Sequence, residues 1–229
     1  MTNFADRVIT FNSRLKISSA LPEGVNSMNP FKEKSAVESS TQFYKKFYND
    51  NCKRFFVAGI NPGRNGAGVT GIPFTDTKRL KDNCGIRFNG SETYEPSSVF
   101  VYEVIDTFGG PEKFYSKFYI NSICPLGFTI RNEKGKFVNY NYYDDPALTK
   151  SVYPFILNSL EKQIDLGLET DICFCLGTGK NFKFMKLIND QHNFFRKVIP
   201  LEHPRFVMQY RSKQKPIFIK KYMNSFAEL

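Results

Sequence analysis

The stretch RFFVAGINPG at residues 54–63 decides the fold of this chain. Residues 54–60 are mostly apolar, which predicts a buried strand. A glycine-rich loop follows over residues 59–71, and glycine lets the backbone approach a ligand closely. In open α/β sheets, ligands bind where loops leave the carboxyl ends of the strands. This loop is therefore the first part of a candidate site.

Strands and helices alternate along the rest of the chain. Further strands are predicted over residues 117–124, 171–176 and 197–201, and an exposed hairpin over residues 128–140. Predicted helices cover residues 3–17, 35–48, 96–108, 145–166, 178–189 and 212–226, with a shorter helix capped by Thr75 and a connector over residues 21–31. The alternation indicates an α/β fold with helices on both faces of a parallel sheet.

Composition narrows the class of protein. Hydrophobic residues make up 41% of the 229 residues and charged residues 24%, which excludes a disordered or collagen-like chain and fits a single domain over residues 1–229. Apolar runs such as residues 55–58 are too short to cross a bilayer, and Asp6 and Arg7 interrupt any signal-peptide core.

Five cysteines without C-x-x-C spacing, beside two histidines, indicate neither disulfides nor a metal site. We expect a cytoplasmic, reduced monomer that uses no metal or cofactor and does not bind membranes.

The charge favours a polyanionic partner. The 32 basic and 22 acidic side chains leave a net charge of +10, with a sequence pI near 9.3. Residues 177–229 contain eleven Lys and Arg against three acidic residues, a net of +8. This distribution predicts contacts with nucleic-acid phosphates, whereas a basic surface that only keeps the protein soluble is the alternative.

Three predicted strand ends carry residues suited to a site. Asn61 follows the first strand, Asn121 lies on the second, and His203 follows the last. In a doubly wound sheet the loops that carry these residues converge on one crevice at the carboxyl ends of the strands. A fixed carboxamide can orient a water molecule, and an imidazole can donate a hydrogen bond to developing negative charge. A turn or a purely structural role remains the alternative for each of these residues taken alone.

A fourth strand end carries the string GTGK, residues 177–180. It lacks the third glycine of the dinucleotide fingerprint, where Phe182 stands, and the spacing of a Walker loop. A phosphate group at this helix N-terminus is more plausible than a bound nucleotide.

Three motifs at these strand ends together resemble the uracil-DNA glycosylase superfamily. They are GINPGRNGAGVTGIPF at residues 59–74, NSICPL at residues 121–126, and His203 followed by Pro204. The first motif is similar to that of the single-strand-selective monofunctional (SMUG-type) branch. The resemblance implies a three-layer α/β/α sandwich around a four-stranded, mainly parallel sheet.

The resemblance also implies roles for the motif residues. Asn61 would position the attacking water, and His203 would stabilise the charge that develops on uracil O2. Phe74 would stack on the flipped base, with packing in the core as the alternative, and Asn121 would pair with the uracil edge and reject cytosine.

The backbone of the first loop would complete the base pocket. Ile60 and Gly63 would line it, and the missing side chain of Gly63 would leave room for a substituent at C5 of the base. On this basis 5-hydroxymethyluracil would fit as well as uracil.

The segment after Pro204 is predicted to act as a wedge. An apolar segment between two arginines is the composition expected of a wedge inserted into a base stack. Its residues are Arg205, Phe206, Val207, Met208, Gln209, Tyr210 and Arg211. The family usually has Ser-Pro after His-Pro, whereas this chain has Arg-Phe.

The resemblance therefore predicts a DNA glycosylase without a cofactor. It would hydrolyse the N-glycosidic bond of uracil, and of 5-hydroxymethyluracil or other deaminated bases, in single- or double-stranded DNA and so initiate base excision repair. One alternative is the mismatch-specific branch, which shares the GINPG string but has Asn where this chain has His203. The other is a catalytically silent relative that only binds nucleic acid.

Overall fold

Ten α-helices and seven β-strands are present in a computed structural model of the chain, which describes residues 2–229. The helices are α1 (Phe4–Ser13), α2 (Lys34–Phe47), α3 (Ala67–Thr70), α4 (Thr77–Asp82), α5 (Pro96–Phe108), α6 (Pro111–Lys117), α7 (Pro146–Ile164), α8 (Lys180–His192), α9 (Pro204–Tyr210) and α10 (Lys215–Phe226). The strands are β1 (Asn26–Met28), β2 (Arg54–Gly59), β3 (Phe118–Ser122), β4 (Gly127–Arg131), β5 (Phe137–Tyr140), β6 (Leu168–Leu176) and β7 (Lys197–Leu201). Short 3-10 turns cover Pro30–Lys32 and Ser212–Gln214.

The four strands predicted from sequence form one parallel sheet in the order β3-β2-β6-β7. Val57 on β2 lies opposite Ile120 on β3 and Phe174 on β6, and Phe174 lies opposite Ile199 on β7. The prediction of a parallel four-stranded sheet is confirmed. Because all four strands run the same way, their carboxyl ends lie along one edge of the sheet.

Helices cover both faces of this sheet, and phenyl and phenol rings fill the layers between them. On one face Phe4 of α1 contacts the ring of Tyr119 on β3, with 5.5 Å between the ring centroids. On the other face Phe226 of α10 contacts Phe118 and Phe174, at 4.4 and 5.0 Å. Phe118 and Tyr119 are neighbours on β3, so their side chains point to opposite faces. The predicted α/β/α sandwich is confirmed.

A second, smaller sheet has the antiparallel order β1-β4-β5. The strands β4 and β5 form the hairpin predicted from sequence, and β1 lies within the predicted connector. This hairpin also packs against the rest of the protein, because the chain that leaves β5 contacts the loop after β2.

An arginine is buried at the amino-terminal end of β2. Arg54 is fully buried, and its guanidinium bonds the carboxylate of Asp50 at 2.8 Å and the carbonyl oxygens of Tyr115 and Cys52 at 2.8 and 2.7 Å. It also lies over the ring of Phe4, 4.6 Å from the centroid. A buried cation is tolerated here because its donors are paired.

Some elements differ from the sequence-based expectations. Asp76, not Thr75, caps α4, because its carboxylate accepts from the backbone N–H of Arg79 at 2.8 Å. The Thr75 hydroxyl lies instead against Tyr102, at 3.0 Å. Three short helices, α3, α6 and α9, were not predicted, since they are too short to show a helical apolar period. Within residues 2–229, no helix combines the length and apolar character needed to span a bilayer.

Candidate active site

The loops that carry the predicted site residues lie at the carboxyl edge of the parallel sheet. The chain leaves β2 for β3 on one side and later adds β6 and β7 on the other side. Such a change of direction opens a crevice at the carboxyl ends of the strands, where ligands bind in open α/β sheets. Asn61 follows β2, Asn121 is near the end of β3, and His203 follows β7. All three therefore reach the same edge.

Phe74 has a strained backbone at this edge. Its φ is +52°, and outside glycine only Phe74 and Asn193 have positive φ among residues 2–229. A bulky residue in this region costs about 1–2 kcal/mol. The Thr70 hydroxyl holds the turn by donating to the carbonyl of Thr75 at 2.7 Å. Strain that the surrounding structure maintains is typical of functional sites.

The strained turn places the half-buried Phe74 ring between two strand ends. A Cβ atom at Gly59, the last residue of β2, would lie 3.1 Å from the ring, so only glycine leaves room for it there. The ring centroid is 5.6 Å from that of His203, with the planes tilted by 52°. Phe74 thus joins the first loop to the His203 loop across the sheet edge, and its ring is only partly buried there.

His203 is the N-cap of α9 and is held in its neutral form. Its Nδ1 accepts a hydrogen bond from the backbone N–H of Arg205 at 3.1 Å. Burial, with a further contribution from the Arg205 charge, lowers the pKa of His203 to about 4. Because Nδ1 is an acceptor in a neutral ring, the proton is on Nε2. His203 therefore presents a neutral Nε2–H donor at the sheet edge.

Asn61 has a fixed side chain. Its Nδ2 donates to the carbonyl of Tyr140, and its Oδ1 accepts from the backbone N–H of Tyr142, both at 3.2 Å. Tyr142 is fully buried, and its hydroxyl donates to Asn181 at 2.8 Å, which fixes the loop after β5. A carboxamide has a second N–H and a second lone pair, so Asn61 can still bind a water molecule.

Asn121 lies deeper than the other two predicted residues. Its side chain is only 5% exposed, donates to the Tyr119 hydroxyl at 2.6 Å and accepts from the backbone N–H of Ser122 at 2.8 Å. The backbone carbonyl oxygen of Asn121 would lie 3.5 Å from a Cβ at Gly59. The residue is therefore next to the Phe74 turn, with one amide hydrogen and one lone pair left for a ligand.

The sequence led us to expect free room beside Gly63, but the structure shows other side chains close to it. A Cβ at Gly63 would lie 3.0 Å from Oε1 of Glu95 and 3.5 Å from Nδ2 of Asn139. Oε1 of Glu95 thus limits the space beside Gly63, and the amide of Asn139 borders it at an ordinary contact distance. Ile60, predicted to line the same pocket, is half-buried, and its carbonyl accepts from the backbone N–H of Cys124 at 3.1 Å.

The predicted wedge is the helix α9, so only one of its faces is exposed. Phe206 and Tyr210 are 41% and 61% exposed, and their ring centroids are 5.7 Å apart. The Arg211 guanidinium lies 5.9 Å from the Phe206 ring. Among the other predicted wedge residues, Arg205 and Gln209 are exposed and Met208 is half-buried. Val207 is fully buried, so the structure removes it from any DNA-contacting surface.

Sequence reasoning missed Glu95 and Asn139. Glu95 precedes α5, and Asn139 lies on β5. Their place at the site depends on how the small sheet packs against the first loop, which no local pattern shows. The string GTGK was noticed, and a Cβ at Gly177 would lie 4.0 Å from Cβ of His203, so that strand end borders the same site.

Comparison with known proteins identifies the superfamily to which the chain belongs. The family model of the uracil DNA glycosylase superfamily matches residues 45–227, and the chain therefore belongs to that superfamily. Its enzymes are DNA glycosylases, a class of hydrolases. No match is found among curated proteins.

A solved structure narrows the class further. The crystal structure of wild-type Pedobacter heparinus SMUG2 is similar to the chain at 53% sequence identity and a TM-score of 0.97, covering 100% of this chain and 98% of that one. The chain is thus a SMUG-type member of the superfamily, as its motifs indicated. Among residues 2–229 there is no cluster of three or more His, Cys, Asp or Glu side chains that could hold a metal ion.

Proposed function

We propose that this chain hydrolyses the bond between uracil and deoxyribose in DNA and so initiates base excision repair. The observation that carries the proposal is the state of His203: a neutral imidazole with its Nε2–H free at the sheet edge, beside the strained Phe74 ring. A neutral donor can stabilise charge that develops on a carbonyl oxygen of the departing base without being protonated first.

The residues divide the reaction between them. A flipped base stacks on Phe74, which offsets part of the few kcal/mol that unstacking costs. The bond from C1′ to the base nitrogen breaks, its electron pair stays on the base, and His203 donates to the charged oxygen. Asn61 orients a water whose oxygen bonds C1′ and whose proton passes to solvent or to the base. Because an amide cannot accept that proton, stabilising the leaving base must supply most of the rate.

Asn121 is proposed to select the base. The free N–H of its amide would donate to a uracil carbonyl, and its free lone pair would accept from the uracil ring N–H. Cytosine has the opposite donor and acceptor pattern on that edge, so an amide fixed by Tyr119 and Ser122 would reject it.

The exposed face of α9 is proposed to contact DNA. Phe206 and Tyr210 lie on the helix that begins at Pro204, directly after the catalytic imidazole, and Arg211 follows the end of that helix. Aromatic side chains stack on bases with about 1–3 kcal/mol per base, and lysines and arginines bind phosphates. The basic residues 177–229 are suited to the second task.

A set of oligonucleotides tests this function. Single-stranded DNA with one uracil, and duplexes with uracil, hypoxanthine, xanthine or a G·T mismatch, are incubated with the protein and scored for alkali-labile strand scission. We expect scission at uracil, reduced about 100-fold by Asn61→Ala because the attacking water is no longer positioned. Asn65→Ala, an exposed asparagine in the same loop, is the matched control and should leave the rate unchanged.

Other outcomes decide between the alternatives. Scission confined to the G·T mismatch would identify a mismatch-specific enzyme. DNA binding without scission of any substrate would identify a silent relative and remove the proposed activity.

A further inference from the structure

We propose that a pocket at the start of α7 binds the base of a nucleotide that flanks the flipped one on the same DNA strand. The inference rests on the proposed function and deepens it, since it assigns a second base-binding site beside the site of hydrolysis. The pocket has a volume of about 470 Å³ and is lined by Tyr143, Pro146, Thr149, Lys150, Tyr153 and Pro154. Because two aromatic rings and two prolines form its walls, a flat and largely apolar group fits it.

The pocket lies at the same edge of the parallel sheet as the candidate active site. Only residues 165–167 connect the end of α7 to the beginning of β6, so the start of α7 lies toward the carboxyl ends of the strands. Burial raises the pKa of Tyr143 to about 12, and the positive charge of Arg205 partly opposes this rise. Since Arg205 is two residues after His203, the pocket borders the His203 loop.

Hydrogen bonds of Tyr142 connect the wall of the pocket to Asn61. The Thr149 hydroxyl donates to the carbonyl of Tyr142 at 2.8 Å, and the backbone N–H of Tyr142 donates to Oδ1 of Asn61 at 3.2 Å. Tyr143 is the next residue, and its ring centroid is 5.0 Å from that of Tyr142. A base in the pocket would therefore be close to the nucleotide that reacts beside Asn61, as neighbours in one strand must be.

The aromatic rings of the pocket are held by packing. Tyr153 is half-buried, its ring centroid is 6.2 Å from that of Phe184 on α8, and its hydroxyl donates to Gln191 at 3.0 Å. The Tyr143 ring is also half-buried. A base can stack on such rings at a low cost in side-chain entropy, because they are already ordered.

Lysines beside the pocket suit the phosphates of a strand that crosses it. Lys150 is exposed, and Nζ of Lys180 lies 5.9 Å from the centroid of the Tyr143 ring. The two carboxylates of the loop before α7 have hydrogen-bond partners within the protein, since Asp144 accepts a backbone N–H at 2.8 Å and Asp145 caps α7. Aromatic rings next to lysines are typical of surfaces that bind single-stranded nucleic acid without reading its sequence.

The test removes one flanking base at a time. Single-stranded oligonucleotides carry 2′-fluorodeoxyuridine, whose glycosidic bond resists cleavage, and an abasic tetrahydrofuran residue at one of the three positions on either side of it. Fluorescence anisotropy gives the dissociation constant of each oligonucleotide. We expect one position at which loss of the base weakens binding to the wild-type protein about tenfold, which is the effect of one stacked base.

The variant Tyr153→Ala assigns that base to the pocket. Because it lacks a stacking surface, loss of the same base should weaken its binding less than about twofold. Phe194→Ala is the matched control, since Phe194 is a half-buried ring that precedes β7 and so lies at the opposite edge of the sheet. The control should keep the tenfold loss.

A second variant, Lys150→Gln, decides the matter if Tyr153→Ala does not fold, because its side chain is exposed. Loss of one phosphate contact should reduce the slope of log Kd against log salt concentration by about 0.7 for an oligonucleotide that extends past the sensitive position. The slope should equal that of wild type for an oligonucleotide that ends before this position. Equal slopes for the longer oligonucleotide would then overturn the inference.

The results separate this inference from the proposed function. Uracil excision by a protein for which no flanking base contributes to binding would overturn the pocket alone. The same conclusion follows if loss of the base weakens binding equally in wild type and Tyr153→Ala. A base dependence that Tyr153→Ala removes, without excision of uracil, would overturn the proposed activity alone, and a protein that does not bind DNA would overturn both.

Discussion

The two ends of strand β2 bury polar groups for opposite purposes. At its amino end the Arg54 guanidinium is enclosed by Asp50, two carbonyl oxygens and aromatic rings, and its nitrogens bond acceptors within the protein. At its carboxyl end Asn61 keeps hydrogen-bonding capacity for a ligand, and the nearby Phe74 has a strained backbone. Bonding of every guanidinium nitrogen within the protein stabilises the fold at one end, while the hydrogen-bonding capacity left at the other end can act on a substrate.

Because the two ends of β2 differ in this way, we expect that stability and activity can be changed separately. Substitutions at the amino end should lower the free energy of unfolding, and substitutions at the carboxyl end should lower the rate with a smaller effect on folding. Predictions at both ends test whether this division holds.

The largest effect is expected for Arg54→Ala, which leaves the carbonyls of Tyr115 and Cys52 without a donor and opens a cavity. Truncating a large buried side chain costs about 2–5 kcal/mol of unfolding free energy, and carbonyl oxygens that lose their donor add to that cost. Urea denaturation measures it, with Arg54→Met, which fills more of the volume, as the comparison. An unchanged urea midpoint in Arg54→Ala would show that the amino end does not stabilise the fold as described.

Next in size is the loss of the His203 donor. Serine is a good N-cap, so His203→Ser keeps the start of α9 while removing the Nε2–H. The single-turnover rate on uracil-containing DNA should fall about 100- to 1,000-fold. Circular dichroism and thermal denaturation provide the control for folding. A folded His203→Ser protein with the wild-type rate would break the assignment of function to this end.

A smaller effect is expected for Gly59→Ala, where the new methyl group meets the Phe74 ring at 3.1 Å. Crowding of this kind costs about 1–3 kcal/mol. Because the ring must shift, the rate on uracil should fall by roughly tenfold or more, with a thermal denaturation midpoint closer to wild type than that of Arg54→Ala. Should Gly59→Ala lose stability while keeping its full rate, the ring would have a packing role only.

The smallest expected effect is a pH dependence of stability from His203, because the ring is half-buried and solvent screening reduces the contribution of its charge. Its pKa is about 4 in the folded chain and 6.5 when unperturbed, so below pH 6.5 the unfolded chain takes up a proton that the folded chain does not. The contribution is present above pH 6.5 and is lost as the pH falls toward 4. Urea midpoints across this range should decline less in His203→Ser. Equal slopes in both proteins would contradict the lowered pKa.

Local signals predicted the parts of the fold that depend on neighbouring residues. The helix starting at Pro146 is one case, since Asp145 caps it through the backbone N–H of Ala147 at 2.7 Å. The strand at residues 54–60 and the loop that follows it are another, and they led to Asn61, whereas Phe74 was predicted from the resemblance of the motif to the superfamily.

The parts that sequence could not predict depend on contacts between distant segments. Glu95 is next to Gly63 only because α5 packs beside the first loop, and Asn139 reaches it only through the small sheet. The segment after Pro204 was predicted from its composition to act as a wedge, but its helical form, which buries Val207, depends on packing against the body of the protein.

The most direct test of the central claim is the protonation state of His203, measured by ¹⁵N NMR of the imidazole nitrogens. The chain has two histidines, so His192→Gln leaves a single ring to observe. At neutral pH we expect a protonated Nε2 and an unprotonated Nδ1, unchanged down to about pH 5. An imidazolium at neutral pH, or a neutral ring with its proton on Nδ1, would contradict the account.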